Sequence, residues 1–182
     1  MSSRIESLHL VEKACWDELA RAAAQRDHPW RTAVLATTDG QAAHARTVIV
    51  REVEPAARRL TVYTDSRSPK AAQIAAHPLG TLVAWSAALG WQLRIACRLW
   101  LDTEGLTVSS RWARLKLTPA AQDYLSPLPP GTTLDGLEPA RGTREYFALI
   151  VADVLAIDWL ELHAEGHRRA AFDERGARWL QP

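Results

Sequence analysis

The 182 residues are enough for one domain with a real core, and 47% hydrophobic against 24% charged is a globular balance. A formal net charge of +1 gives no whole-molecule field for nucleic acid, and no apolar run reaches membrane-span length. The two cysteines, Cys15 and Cys97, have no metal-ligand spacing and read as free thiols of a reducing compartment.

The first residues, Met1 to Glu6, carry no signal-peptide core, so a cytoplasmic protein is expected. Ser3 to Glu6 spells a capping box, and Ile5, Leu8, Val11, Cys15 and Leu19 recur at helical spacing, predicting a helix to about Ala24. Thr32–Thr38 reads as a strand, Asp39-Gly40 as a hairpin turn and Ala42–Val53 as the partner strand. A third strand spans Leu60–Thr64. A short Ala-rich helix to about Ala76 follows, with Ser68 at the N-cap and Pro69 at the first helical position. Strands Thr81–Trp85 and Trp91–Leu101 come next.

Helices are expected over Leu106–Leu117 and from Thr118-Pro119 to Tyr124, then a Pro- and Gly-rich loop to Gly142. Tyr146–Val151 and Val154–Leu162 read as two strands joined at Ala152-Asp153. His167–Phe172 is a last strand, with Trp179-Leu180 extending it. This order predicts a single mainly β domain over residues 1–182, a closed or nearly closed antiparallel barrel with peripheral helices. Eight Trp are many for the length; core packing is their ordinary job, with a cleft or interface as the alternative.

The chemistry is narrow. There is no Gly-x-Ser-x-Gly elbow, P-loop or Gly-x-Gly-x-x-Gly, and the six histidines form no helical His-x-x-x-His pair, so no metal site and no catalytic residue are assigned. The segment Tyr63 to Lys70 runs from a strand, through a polar turn, to a helix N-terminus carrying Arg67 and Lys70. On local chemistry it reads first as an ordinary capped helix with solvated charges, and as the alternative a phosphate seat.

Taken in order, the motifs resemble the pyridoxamine 5'-phosphate oxidase-like family of FMN-binding split barrels. Arg46-Thr47-Val48-Ile49-Val50-Arg51 is similar to that family's Arg-x-Val-Leu-Leu-Lys strand. Tyr63 to Ala71 is similar to its Tyr-Thr-Asn-x-x-Ser-Arg-Lys-x segment. Gln92 falls at its flavin-contacting Gln, and Trp159 and Arg169 match its late Trp and Arg. The Gln73–Leu125 region resembles the family's uncharacterised FMN-binding branch more than the oxidase itself.

The resemblance implies FMN bound across a homodimer interface. Arg46 and Lys70 would hold the 5'-phosphate, with Tyr63, Thr64 and Ser68 around it. Thr47, Val48 and Ile49 would meet the ring through backbone groups, Gln92 would hydrogen-bond it, and Trp159 and Arg169 would close the site. Pro69 stands where relatives have an Arg, which Arg67 would replace. Arg46 and Arg51 sit on opposite faces of a regular strand, so both reach one cofactor only if a bulge intervenes. On the substrate side Arg114 and His167 are kept and Thr118 falls at the family's Ser place, whereas Glu165 and Ser110 replace the oxidases' Arg and Tyr. The implied protein is an FMN-dependent oxidoreductase acting with a small-molecule substrate or electron donor. The alternative is a non-catalytic flavin-binding or flavin-sensing protein.

Overall fold

The structure is a computed structural model that describes residues 4–136, 142 and 145–182. Helix α1, Leu8–Ala24, buries Val11, Cys15, Trp16, Leu19 and Ala22 along one face. It begins at Leu8 rather than near Ser3, which lies outside the described residues. The reason is that the preceding residues are drawn elsewhere. Arg4 donates to the Gly166 carbonyl at 2.7 Å, and the Ile5 carbonyl accepts from Arg168 Nη1 at 2.8 Å.

Strands β1 (Thr32–Thr38) and β2 (Ala43–Glu54) form the expected hairpin. Asp39 holds its turn: the carboxylate accepts from Gln41 N at 2.9 Å and Ala42 N at 2.8 Å, and meets His44 Nε2. Those bonds hold the Asp39 carboxyl well below the usual range. Then come β3 (Arg59–Asp65), α2 (Pro69–Ala76), β4 (Leu79–Ser86), β5 (Trp91–Asp102) and α3 (Gly105–Leu115). Pro119–Tyr124 is a 3-10 turn, tighter than the helix expected there.

The pair of strands expected over 146–162 is one strand, β6 (Phe147–Glu161). Ala152-Asp153 contains no Gly or Pro to break it, and Arg59 Nε holds Asp153 in line at 3.0 Å. The irregularity lies further on: β6 pairs with β5 with a register shift that leaves Leu155 as the extra residue. The C-terminal segment is a hairpin of β7 (Arg168–Asp173) and β8 (Gly176–Leu180), with Gly176 at φ +92°.

All pairings are antiparallel, in the order β3-β2-β1-β4-β5-β6-β7-β8, and a β3–β6 pairing closes the first six into a barrel. Strand β6 makes the split. Its first half, to Asp153, lies between β5 and β3; beyond Leu155 its other edge passes to β7. Alternate residues such as Leu35, Val50, Leu93 and Ile157 fill the barrel, and α1 and Trp30 pack against that core. Outside it, Val108, Trp112 and Leu115 of α3 cover Phe147, Leu149 and Val151 in a second cluster. The run Phe147–Ala152 is buried on both faces, which explains its lack of polar alternation. Trp30, Trp91, Trp112 and Trp159 are core residues, whereas Trp85 and Trp179 are exposed. Cys15 and Cys97 are buried free thiols, the latter pushed up to about 12 by burial and then Asp153. Among the described residues no helix is long and apolar enough to cross a membrane.

Candidate functional site: an anion seat at the start of helix α2

Strand β3 ends at the buried Asp65, and Ser68 N returns a hydrogen bond to the Asp65 carbonyl at 3.1 Å, folding the chain into α2. Ser68 occupies the N-cap position but makes no side-chain cap bond. Its hydroxyl turns back to Thr64 Oγ1 at 3.2 Å. The start of α2 therefore keeps its partial positive charge without a side-chain oxygen to satisfy it.

Lys70 stands on the first turn of α2, half-buried. Burial first, and then the charge of Arg46, pull its pKa below the usual lysine value, with Asp65 opposing. Arg46 comes from β2. Its Nη1 donates to the Leu35 carbonyl at 3.1 Å and to Thr37 Oγ1 at 2.5 Å, and its Nη2 to Gln73 Oε1 at 3.0 Å. Thr37 also donates to Gln73 Oε1, at 2.6 Å. Strands β1 and β2 and helix α2 thus converge on one guanidinium. Among the described residues no carboxylate forms an ion pair with Arg46 or Lys70, although 11 pairs between a carboxylate and another Lys or Arg occur. Two partly desolvated cations that no carboxylate pairs, one of them on the first turn of a helix, have the chemistry to attract an anion. Thr37 and Gln73 were missed from sequence. The spacing of Lys70 and Gln73, three apart and so on one helix face, was the available sign.

Val48 faces the core, while Thr47 and Ile49 alternate to the outside. Arg51 is the extra residue of a bulge between Val50 and Glu52. The required bulge exists but does not bring Arg51 to Arg46: its guanidinium lies 5.4 Å over the Tyr63 ring, with Nε buried and, among the described residues, without a hydrogen-bond partner. The Tyr63 hydroxyl donates to Glu52 at 3.0 Å, and burial, then Glu52, push its pKa up to about 12. Glu52 also accepts from Arg111 Nε at 2.7 Å, so Tyr63 helps to dock α3. Arg67 is committed to Asp65 and is not free for a phosphate: Arg67 Nε and Nη2 donate to Asp65 at 3.1 and 2.7 Å.

A second group lies on the outward face. Gln92 pairs with Leu160, which pairs with Arg169, so the three share that face with Trp85. Arg169 is held by Asp158 at 3.0 and 2.6 Å, and Asp158 also pairs with Arg94. Trp159 lies on the opposite, inward face, 0% exposed, its ring edge-on to Trp91 at 5.3 Å. The side chain of Trp159 thus does not share a surface with Arg169. Arg46 shares the inward face of Leu35 and Val48, so one chain does not unite Arg46 and Lys70 with Gln92 and Arg169. The substrate-side residues are also apart. Arg114 is exposed on α3, which packs on the start of β6, while Thr118 begins the following 3-10 turn. His167 is exposed beyond the far end of β6, accepting from His163 N at 3.1 Å.

Solved structures share this fold. A pyridoxamine 5'-phosphate oxidase-related, FMN binding protein from Nostoc punctiforme is 22% identical with a TM-score of 0.72, covering 93% of this chain and 96% of that one. PhzG from Burkholderia lata, solved with tetrahydrophenazine-1-carboxylic acid, is 14% identical with a TM-score of 0.76, covering 100% and 99%. General Stress Protein 26 from Bacillus anthracis is 16% identical with a TM-score of 0.52, covering 80% and 92%. At these identities the likeness is one of fold, and no curated protein matches the chain. The family described as pyridoxamine 5'-phosphate oxidase, FMN-binding domain, matches residues 13–103, half of the sequence, and the chain belongs to that family.

Proposed function

We propose that this chain binds FMN by its 5'-phosphate at the Arg46–Lys70 seat and works as a homodimeric, FMN-dependent oxidoreductase. The observation that carries the reading is the pair of cations without a counter-ion at the start of α2, inside the matched family segment. FMN would supply exchange of a hydride or electrons with a small substrate. Arg46, oriented by Thr37 and Gln73, and Lys70 would neutralise and position the phosphate. Gln92 and Arg169 would meet the ring from the partner copy, which is why they lie on the other face of the wall. Val34 and Trp85, exposed on the outward sheet, fit a face covered by that copy.

The visible spectrum of the purified protein tests the reading. Flavin absorption, with FMN as the released cofactor and a dimer by light scattering, is the expected result; a colourless protein that takes up no FMN refutes it. A second reading, flavin binding without turnover, draws support from Glu165 and Ser110, which replace the oxidases' substrate-side Arg and Tyr. Reduction of the bound flavin by a pyridine nucleotide, with reoxidation coupled to a substrate, separates the two.

Poor activity as a pyridoxamine 5'-phosphate oxidase is also expected. Glu165 is an exposed carboxylate at the turn that carries His167, and it would repel a phosphate of about −2 charge. Steady-state assays with pyridoxine and pyridoxamine 5'-phosphates should give kcat/KM below about 10⁴ M⁻¹s⁻¹, the lower edge of the common enzyme range. A value above it would show that Glu165 does not act on substrate.

A further inference from the structure

Asp65 is the anomaly beside the seat. It is a carboxylate only 5% exposed, five residues before Lys70, in a turn that folds it against the first turn of α2. The family segment that this stretch resembles has Asn at this place. A buried carboxylate near an ammonium would ordinarily pair with it, and that pair would cancel the charge an incoming phosphate needs. Lys70 does sense Asp65, but the two form no ion pair.

Arg67 prevents it. The Asp65 Oδ1 accepts from Arg67 N at 2.8 Å and from Nε at 3.1 Å, and Oδ2 accepts from Nη2 at 2.7 Å. The guanidinium cannot swing away, because it is fixed from behind. Its Nη1 donates to the Pro127 carbonyl at 3.1 Å and Nη2 to the Ser126 carbonyl at 2.8 Å, and Cζ stacks 3.2 Å from the centre of the Tyr146 ring. Each of its three nitrogens already has an acceptor, so Arg67 is held to Asp65 and to the 126–127 carbonyls.

We propose that Arg67 is a positioning residue that holds the Asp65 carboxylate off Lys70, so that Arg46 and Lys70 stay open to an anion. Asp65 and Arg67 then form a matched pair: the carboxylate is tolerated beside the seat only because the guanidinium two residues on neutralises it. This inference rests on the FMN reading above and adds the residue on which phosphate selectivity depends.

The test compares wild type, Arg67→Met, Asp65→Asn and the double variant as full-length apoprotein. Dissociation constants for FMN and for riboflavin, which lacks the phosphate, are read by flavin fluorescence. Their ratio isolates the phosphate. Arg67→Met should lower the FMN-over-riboflavin preference about ten- to hundredfold, the range of one charge-assisted contact. Asp65→Asn should keep the preference, and the double variant should restore it to within about threefold of wild type. Two results overturn the proposal: Arg67→Met keeping the wild-type preference, or the double variant staying as weak as Arg67→Met. The second means that Arg67 touches the phosphate itself or acts only by holding residues 126–128. If Arg67→Met fails to fold, the double variant, which has no uncompensated buried carboxylate, is set against Asp65→Asn. Equal preference supports the proposal and a tenfold loss overturns it. A wild-type chain that does not prefer FMN to riboflavin refutes the underlying phosphate reading, and the inference falls with it.

Discussion

Lys70→Met is expected to weaken FMN binding about ten- to hundredfold, because it deletes a charge-assisted contact worth about 1.5–3 kcal/mol at a helix N-terminus. Arg51→Met should change the same dissociation constant less than about threefold, since Arg51 lies over Tyr63 and away from Arg46. Fluorescence titration of both variants checks this, and equal losses would reject the assignment of the seat. The same Lys70→Met change should leave the apoprotein more resistant to urea. Burial and Arg46 depress the folded-state pKa of Lys70, so the unfolded chain binds that proton more tightly. Wild-type stability should therefore rise with pH between the lowered value and the ordinary lysine value of about 10.4, and Lys70→Met should lack that rise.

Glu161→Gln should cost about 3 kcal/mol of folding stability, read as a lower urea midpoint. Glu161 is 6% exposed at the end of β6. It accepts from Arg4 Nε at 2.9 Å, from Arg168 Nε and Nη2 at 2.9 and 3.1 Å, and from Trp91 Nε1 at 3.3 Å. A neutral amide cannot satisfy two guanidiniums, and both Arg4 and Arg168 also hold backbone carbonyls at the chain start and the β6–β7 turn. Burial alone would raise the Glu161 pKa, but Arg168 and Arg4 together hold it below the usual value. The stabilisation is therefore complete above the ordinary glutamate value of about 4.3 and is lost as pH falls through the lowered folded value. The stability gap between wild type and Glu161→Gln should close in acid. A gap that persists below that window would mean that the loss comes from packing and not from charge.

The elements legible in the sequence are those set by local rules. Asp39-Gly40 with flanking apolar alternation gave the first hairpin, and Ser68-Pro69 placed the start of α2 to the residue. Arg46 and Lys70 stood out in the sequence by residue type and by the helix start beside Lys70, and the structure brings both to α2 without a paired carboxylate among the described residues. What could not be read was facing and partnership. Trp159 and Arg169 are ten apart across a hairpin, and only the register, Leu160 opposite Arg169, shows that they point to opposite sides. The run Phe147–Ala152 is buried on both faces, so its pattern did not show a strand continuing past Asp153. Arg67 read as a phosphate ligand because the carbonyls that hold it lie about sixty residues away, in the loop after Tyr124.

The pairing that closes the barrel has a kinetic consequence. Arg59 meets Asp153 across 94 residues of chain, a long loop to close, so β3 and β6 are expected to join late in folding. The turn beside the proposed seat depends on that event: Ser66 N donates to the Tyr146 carbonyl at 2.8 Å, just before β6, and Arg67 stacks on the same Tyr146. A nascent chain therefore lacks those holds on the Asp65–Arg67 turn until closure is complete. An anionic ligand would act on the lifetime of the finished barrel, by slowing its opening, and would leave the rate of assembly almost unchanged.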